Sequence, residues 1–276
     1  MKPVPFPLTG LVARMTTEEL RRYFLVTDLF VPGEVRLNWW EVDRTIVGGA
    51  TPTDTPLALP NHPELRATFF CERREIGVVN LGGAGSIKVD GKSFELGKLD
   101  GLYIGRGSRE VIFSSADKAA PAKFYLLSFT AHAVHPTTLA DLAGAEKLDL
   151  GGKDTANERK LCKLIHAGRF PTCQVVMGVT LLQKGSVWNT LPAHTHTRRN
   201  EVYLYFDVAP DQAVMHFMGE PTETRHIVVR DGQAVLSPVW SIHSGCGTSN
   251  YGFVWGMGGE NQDYTDMDPA PVSKLL

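Results

Sequence analysis

Residues 192–206 read PAHTHTRRNEVYLYF. His194 and His196 stand two apart, and Glu201 follows five residues after the second. On an extended chain alternate side chains share a face, so the two imidazoles can be presented to one point. Glu201 lies at odd spacing from them and can join only if the chain turns in between; the TRRN of residues 197–200 supplies that turn. The aromatic and β-branched run EVYLYF then reads as a strand. Counting from Glu201, Tyr203 and Tyr205 share its face and look inward, while Val202, Leu204 and Phe206 look the other way. Paired imidazoles in a polar loop can also do no more than satisfy local hydrogen bonds. A cation would need a further ligand from another strand facing the same cavity, and His243, in SPVWSIHSG, is the candidate.

Outward from this stretch the chain continues as short runs of Val, Ile, Phe and Tyr, punctuated by 27 glycines and 17 prolines. That pattern favours an all-β sandwich or barrel over alternating helices and strands. The readable strands of the first half are ATFFCE, GVVNLG, GSIKVDG, KSFELG, GLYIG and EVIFSS; those of the second are CQVVMGVTLL, EVYLYFDV, AVMHFM, RHIVVR, QAVLSP and GFVWGMG. The Asp-Gly pair in VDGKS is a hairpin-turn signal. Helix is sparse. TTEELRRYF carries a capping box, Thr16 with Glu19, and TANERKLCKLIHA resembles a second short helix. His216 and His226 fall in strand runs and are read as structural or supporting residues, and Trp188, Trp240 and Trp255 as apolar walls or, equally, as core packing.

The 276 residues carry a formal net charge of −2 with no basic run, which sets aside nucleic acid and anionic membrane as partners. MKPVPFPLTGLVARM is broken by prolines and does not read as a secretory leader. YFLVTDLFVPG is too short to span a bilayer and carries Asp28. Cys71, Cys162, Cys173 and Cys246 have neither zinc-ribbon spacing nor disulfide-scaffold density, and four reduced thiols point to the cytoplasm.

An internal repeat is present. CERREIGVVNLGGAG lies over TRRNEVYLYFDVAP, matching Glu75 to Glu201, and GKLDGLYIGRGSREV lies over GQAVLSPVWSIHSGC, matching Ser108 to His243. The halves read as two copies of one β-barrel, of which only the second keeps histidines at the key positions. The expected division is a ligand-free N-terminal barrel over 1–135, a connecting segment over 136–168 and a metal-binding barrel over 169–276.

These motifs resemble the cupin superfamily of small double-stranded β-helix (jelly-roll) barrels. HTHTRRNE fits the ligand part of the first cupin motif, although Val208 stands where its glycine would fall; GQAVLSPVWSIH fits the second, with Trp240 in place of the glycine. A closer resemblance covers nearly the whole chain. DRTIVGGA, ERREIGVVNLGGAGSIKVDG, WNTLPAHTHTRRNEVYLYF, GEPTETRHIVV, SPVWSIHSG and FVWGMGGENQ look like the 5-keto-4-deoxyuronate isomerase family. The resemblance implies a bicupin with one zinc ion per chain on His194, His196, Glu201 and His243, assembled as a hexamer. It also implies a ketol-isomerase acting on linear keto-uronates from pectin breakdown. Donor type alone suits zinc, iron(II), manganese or nickel. An iron-dependent cupin dioxygenase and a non-catalytic sugar-binding bicupin therefore stand beside the isomerase as alternatives. Tyr203 and Glu260 are the candidates for acid–base work, and Arg199 and Arg225 for gripping a substrate carboxylate.

Overall fold

The computed structural model describes residues 1–260 and 264–276. The chain divides into two compact units, one of residues Met1–Pro3, Asp28–Glu146 and Lys163–Met177, the other of Val4–Thr27, Lys147–Cys162 and Gly178–Leu276. The fold is all-β.

In the first unit the strands Val35–Trp40, Thr45–Ala50, Phe124–Thr130, Arg74–Asn80 and Gly101–Ile104 lie side by side in that order within a seven-stranded sheet. A four-stranded sheet orders Leu57–Ala58, Val111–Ser115, Gly85–Val89 and Lys92–Leu96. Ile46, Ile76, Val78 and Leu102 from the larger sheet and Ile87, Phe94 and Phe113 from the smaller form one buried core. Burying such side chains stabilises by roughly 1.5–3 kcal/mol each. Asp90 and Gly91 both take positive φ between paired Val89 and Lys92, the tight turn that the Asp-Gly pair predicts.

The second seven-stranded sheet repeats the order: Arg159–Ile165, Val176–Leu182, Gly252–Gly259, Arg199–Phe206, Ala234–Ser237. Its four-stranded companion runs Trp188–Asn189, Ser244–Gly247, Val214–Glu220, Glu223–Val229. Arg74–Asn80 and Arg199–Phe206 occupy the same place in their respective sheets, so the internal repeat is a repeat of topology.

The Thr17–Phe24 helix starts on the expected capping box, with Thr16 N–H donating to Glu19 Oε2 at 2.7 Å and Glu19 N–H to Thr16 Oγ1 at 3.3 Å. Three readings are corrected. ATFFCE is a 3-10 turn, Phe70–Glu72, that tucks Phe70 and Cys71 into the core while Glu72 accepts the Thr68 N–H across the turn. TANERKLCKLIHA is not a helix; a 3-10 turn at Lys153–Thr155 leads into the strand Arg159–Ile165. The segment 136–168, read as a connection, contributes the strands Thr138–Ala140, Glu146–Leu150 and Arg159–Ile165. Sheet pairing overrode local helix propensity there.

Candidate metal centre

Glu201 sits on a strand buried along its whole length. Its neighbours across the sheet are Met257 and Ser237. Val202, Leu204 and Phe206, on the face away from Glu201, are buried too, so this strand is covered on both sides. His194 lies on the short strand Ala193–Thr195, paired with Asp268–Ala270, and His196 follows just beyond its end. A turn at residues 197–198 brings the chain back into Arg199–Phe206, as the odd spacing of Glu201 requires. His243 enters from the loop between Ala234–Ser237 and Ser244–Gly247.

The structure brings these four side chains together. His196 Nε2 and His243 Nε2 lie 3.0 and 2.9 Å from Glu201 Oε2, and His194 Nε2 lies 2.9 Å from His243 Nε2. The ligand atoms of the four all fall within 4.8 Å of one another. A cation about 2.1 Å from two donors holds them about 3.0 Å apart at a right angle and about 3.4 Å apart at the tetrahedral angle. The donor set fits a divalent cation, with spacings nearer the right-angle arrangement. The Nδ1 edge of His243 faces the Ser241 carbonyl at 3.4 Å, the kind of partner that fixes a ring's orientation and leaves Nε2 free to ligate.

Burial pushes the His194 imidazole down to about 2, reinforced by the neighbouring His243 and only partly opposed by Glu201. Burial alone would raise the Glu201 carboxyl, but the charge of His243 and hydrogen bonds from both His196 and His243 hold it well below the usual range. His194 and Glu201 are thus held in the deprotonated forms that a cation needs. His216, buried with Tyr205 Oη 2.7 Å from its Nδ1, is lowered to about 3, again chiefly by burial and next by His243. His216 stands outside the ligand group, as its strand position suggested.

These shifts have a consequence for acid stability. The unfolded chain takes up protons on His194 and His216 as pH falls through about 6.5, whereas the folded chain resists until about 2 and about 3. The unfolded state binds more protons throughout that window, so stability falls as pH falls. Thermal melts of chelator-treated protein should show Tm dropping by at least about 5 °C between pH 7 and pH 5, above the main carboxylate range. A flat Tm over those two pH units would contradict the burial of neutral imidazoles.

A cavity of about 320 Å³ opens in front of the cluster, lined by His194, His196, Glu201 and Tyr203 among others. Tyr203 faces it, with its hydroxyl 2.9 Å from Thr190 Oγ1, and burial followed by the charge of Glu201 raises its phenol well above the ordinary range. Thr190 takes φ +48°, a left-handed conformation that a β-branched residue rarely adopts. Arg199 is 1% exposed; its Nη2 lies 2.7 Å from Asp266 Oδ1, and its Nε donates to His196 Nδ1 over a long 3.4 Å. Two expected residues are placed elsewhere. Glu260 is exposed at the end of its strand, paired with Arg198 at 2.6 Å, and Arg225 is paired with Glu223 at 2.9 Å; neither lines the cavity. Glu260 reads as near the site only because it follows a strand that serves it; it stands just past that strand's end, where its side chain is exposed.

Sequence reading missed Arg159 and Thr180, both on the cavity wall. Arg159 was hidden by the helical reading of its segment; the alternation of Arg159 and Leu161 with Lys160 and Cys162 was the available signal.

The first unit treats its equivalent glutamate differently. Glu75 Oε1 accepts the N–H groups of Gln174 and Val175 at 2.6 and 2.8 Å, while Oε2 accepts the Cys173 N–H and the Tyr103 hydroxyl, both at 2.7 Å. Ser108, matched to His243, donates to the Gly105 carbonyl at 3.0 Å.

A family model described as the KduI/IolB family matches residues 36–272. A protein of Formosa agariphila named 4-deoxy-L-threo-5-hexosulose-uronate ketol-isomerase is 52% identical over 264 residues, 96% of this chain and 94% of its own. A protein of the same name from Lachnoclostridium phytofermentans is 50% identical, over 96% of both chains. Among solved structures, an IolB-like protein from Salmonella typhimurium LT2 superposes with a TM-score of 0.72 at 13% identity, covering 89% of this chain and 96% of that one. Its likeness speaks to the fold, which is that of the cupins. Matched along most of its length by one family model and at about half identity by full-length relatives, the chain belongs to the KduI/IolB family.

Proposed function

We propose that this protein is a zinc-dependent ketol-isomerase converting 5-dehydro-4-deoxy-D-glucuronate into 3-deoxy-D-glycero-2,5-hexodiulosonate in polyuronate breakdown. The observation that carries the reading is the convergence of His194, His196, Glu201 and His243 on one point at the end of a cavity, in a chain about half identical to proteins named for this reaction. Zinc held by these four residues, one per chain, supplies Lewis-acid polarisation of a carbonyl and its neighbouring hydroxyl.

The chain's own residues do the rest. Glu201 and the three imidazoles fix where the reacting end of the sugar sits. Tyr203, kept protonated by burial, is suited to donating its hydroxyl proton or a hydrogen bond to an oxygen that gains charge as a proton moves between the two adjacent carbons. Arg199, already paired with Asp266, holds the His196 side of the cluster in place rather than meeting the substrate. A cytoplasmic location fits the four unpaired cysteines, and the hexamer belongs to the same reading.

The test is turnover of the keto-uronate by zinc-loaded protein in deuterated water. Deuterium at C6 of the product, the carbon that was the substrate's C1 aldehyde, is expected, with Tyr203→Phe about a hundredfold slower. Absence of turnover by protein carrying a full equivalent of zinc sinks the isomerase reading, and product free of deuterium sinks proton transfer in favour of a hydride shift.

A further inference from the structure

The cavity floor is one face of the second seven-stranded sheet. From the Glu201 strand outward the order is Arg199–Phe206, Gly252–Gly259, Val176–Leu182, Arg159–Ile165. The last three of these strands present Trp255, Thr180 and Arg159 to the cavity in turn. Glu158 pairs with Gln183 and Leu182 with Tyr251, six residues along from Met257, the partner of Glu201. Arg159 is therefore offset from Glu201 along the strands as well as across them. The indole of Trp255 lies over Gly178, where a Cβ would come within 2.3 Å of its ring, so the missing side chain makes room for it.

The wall at this end of the cavity holds two buried donors without acceptors and a guanidinium without a counter-charge among the described residues. Thr180 Oγ1 and Trp255 Nε1 are buried, on side chains 1% and 3% exposed, and neither has a partner among the described residues. Arg159 is half-buried; its Nη1 donates to the Asn157 carbonyl at 2.9 Å, and among the described residues no carboxylate pairs with it. Arg199, by contrast, is neutralised by Asp266. Buried donors left unmatched are costly, and a half-buried guanidinium lacking a counter-charge more so. An anion in the cavity supplies the counter-charge that Arg159 lacks, and a carboxylate has about four acceptor positions for it and for donors beside it.

We propose that Arg159, with Thr180 and Trp255, forms the subsite that receives the carboxylate of the substrate. The inference rests on the isomerase reading for the substrate's shape: its reacting carbons stand at one end of a six-carbon chain and its carboxylate at the other. Five bonds of about 1.5 Å set the two ends about 6 Å apart in extended form, and Arg159 lines the same cavity as the His/Glu cluster. With the carbonyl end at the His/Glu cluster and the carboxylate at Arg159, the sugar lies across the sheet face, and the arrangement selects uronates against neutral sugars.

The experiment compares zinc-loaded wild type, Arg159→Met, Arg159→Lys and Thr180→Val. Arg159→Met should raise KM by about ten- to a hundredfold while kcat falls far less, with zinc stoichiometry unchanged. Arg159→Lys should recover part of the loss, and Thr180→Val should raise KM about three- to tenfold. D-glucuronate should bind wild type in calorimetry more tightly than D-glucose does, and Arg159→Met should abolish the difference. KM within twofold of wild type in folded, zinc-replete Arg159→Met overturns the proposal. If that variant fails to fold, unchanged KM in both Arg159→Lys and Thr180→Val overturns it equally. Should wild type not turn over, the isomerase reading fails by itself, and the glucuronate–glucose comparison still decides the subsite.

Discussion

Replacing His243 with alanine should abolish both cation binding and turnover. His243 Nε2 sits 2.9 Å from Glu201 Oε2 and 2.9 Å from His194 Nε2, so it bridges two other donors of the cluster. Residues that merely orient a ligand typically cost 10–100-fold in metal affinity when replaced. Removing a ligand that touches two others must cost more, and a loss of at least about a thousandfold in kcat/KM is expected as the Lewis acid leaves. The check is zinc per chain after dialysis against a weak chelator, read beside the isomerase assay. Retention of a full equivalent of zinc by a folded His243→Ala protein would falsify the assignment of this histidine. Tm in the metal-free state provides the folding control, because His243→Ala removes no hydrogen bond shorter than 3.4 Å outside the cluster.

The convergence of the three histidines and Glu201 was legible because strand periodicity is strict. His194 and His196 at spacing two, a turn at residues 197–198, and Glu201 on a continuous strand leave few ways to fold other than bringing imidazoles and carboxylate together. The repeat was legible for the same reason, since Arg74–Asn80 and Arg199–Phe206 take the same place in their sheets. What stayed hidden depends on long-range pairing. Arg159–Ile165 has the composition of a helix and becomes a strand because its neighbours in the sheet pair with it. Arg199, Arg225 and Glu260 are chemically suitable, but their partners Asp266, Glu223 and Arg198 decide their roles, and no local pattern discloses a partner. Arg159 differs from them by the absence of such a partner among the described residues, which only coordinates can show.

Glu75 carries the second large effect, on stability. It occupies the place in its sheet that Glu201 occupies in the other, and it is fully buried. Where Glu201 meets imidazoles, Glu75 meets three backbone N–H groups and one phenol, all within 2.8 Å. A backbone N–H cannot give way to a cation as an imidazole lone pair can accept one, so the same carboxylate in the same place ties down the chain at residues 173–175. Glu75→Ala leaves three buried donors and one part-buried donor unmatched, and at about 1–3 kcal/mol each the expected destabilisation is roughly 4 kcal/mol or more. That corresponds to a fall in Tm of about 10 °C or more for a chain of this size. Glu75→Gln, which keeps one acceptor oxygen but turns an amide N–H₂ toward two of the donors, should fall between. Zinc stoichiometry of whatever folds should stay at one per chain, whereas Glu201→Ala should lose zinc. Melting of Glu75→Ala within about 2 °C of wild type would show that solvent or rearrangement satisfies those donors. Loss of zinc from folded Glu75→Gln would mean that the two glutamates do not divide the work as their donors indicate.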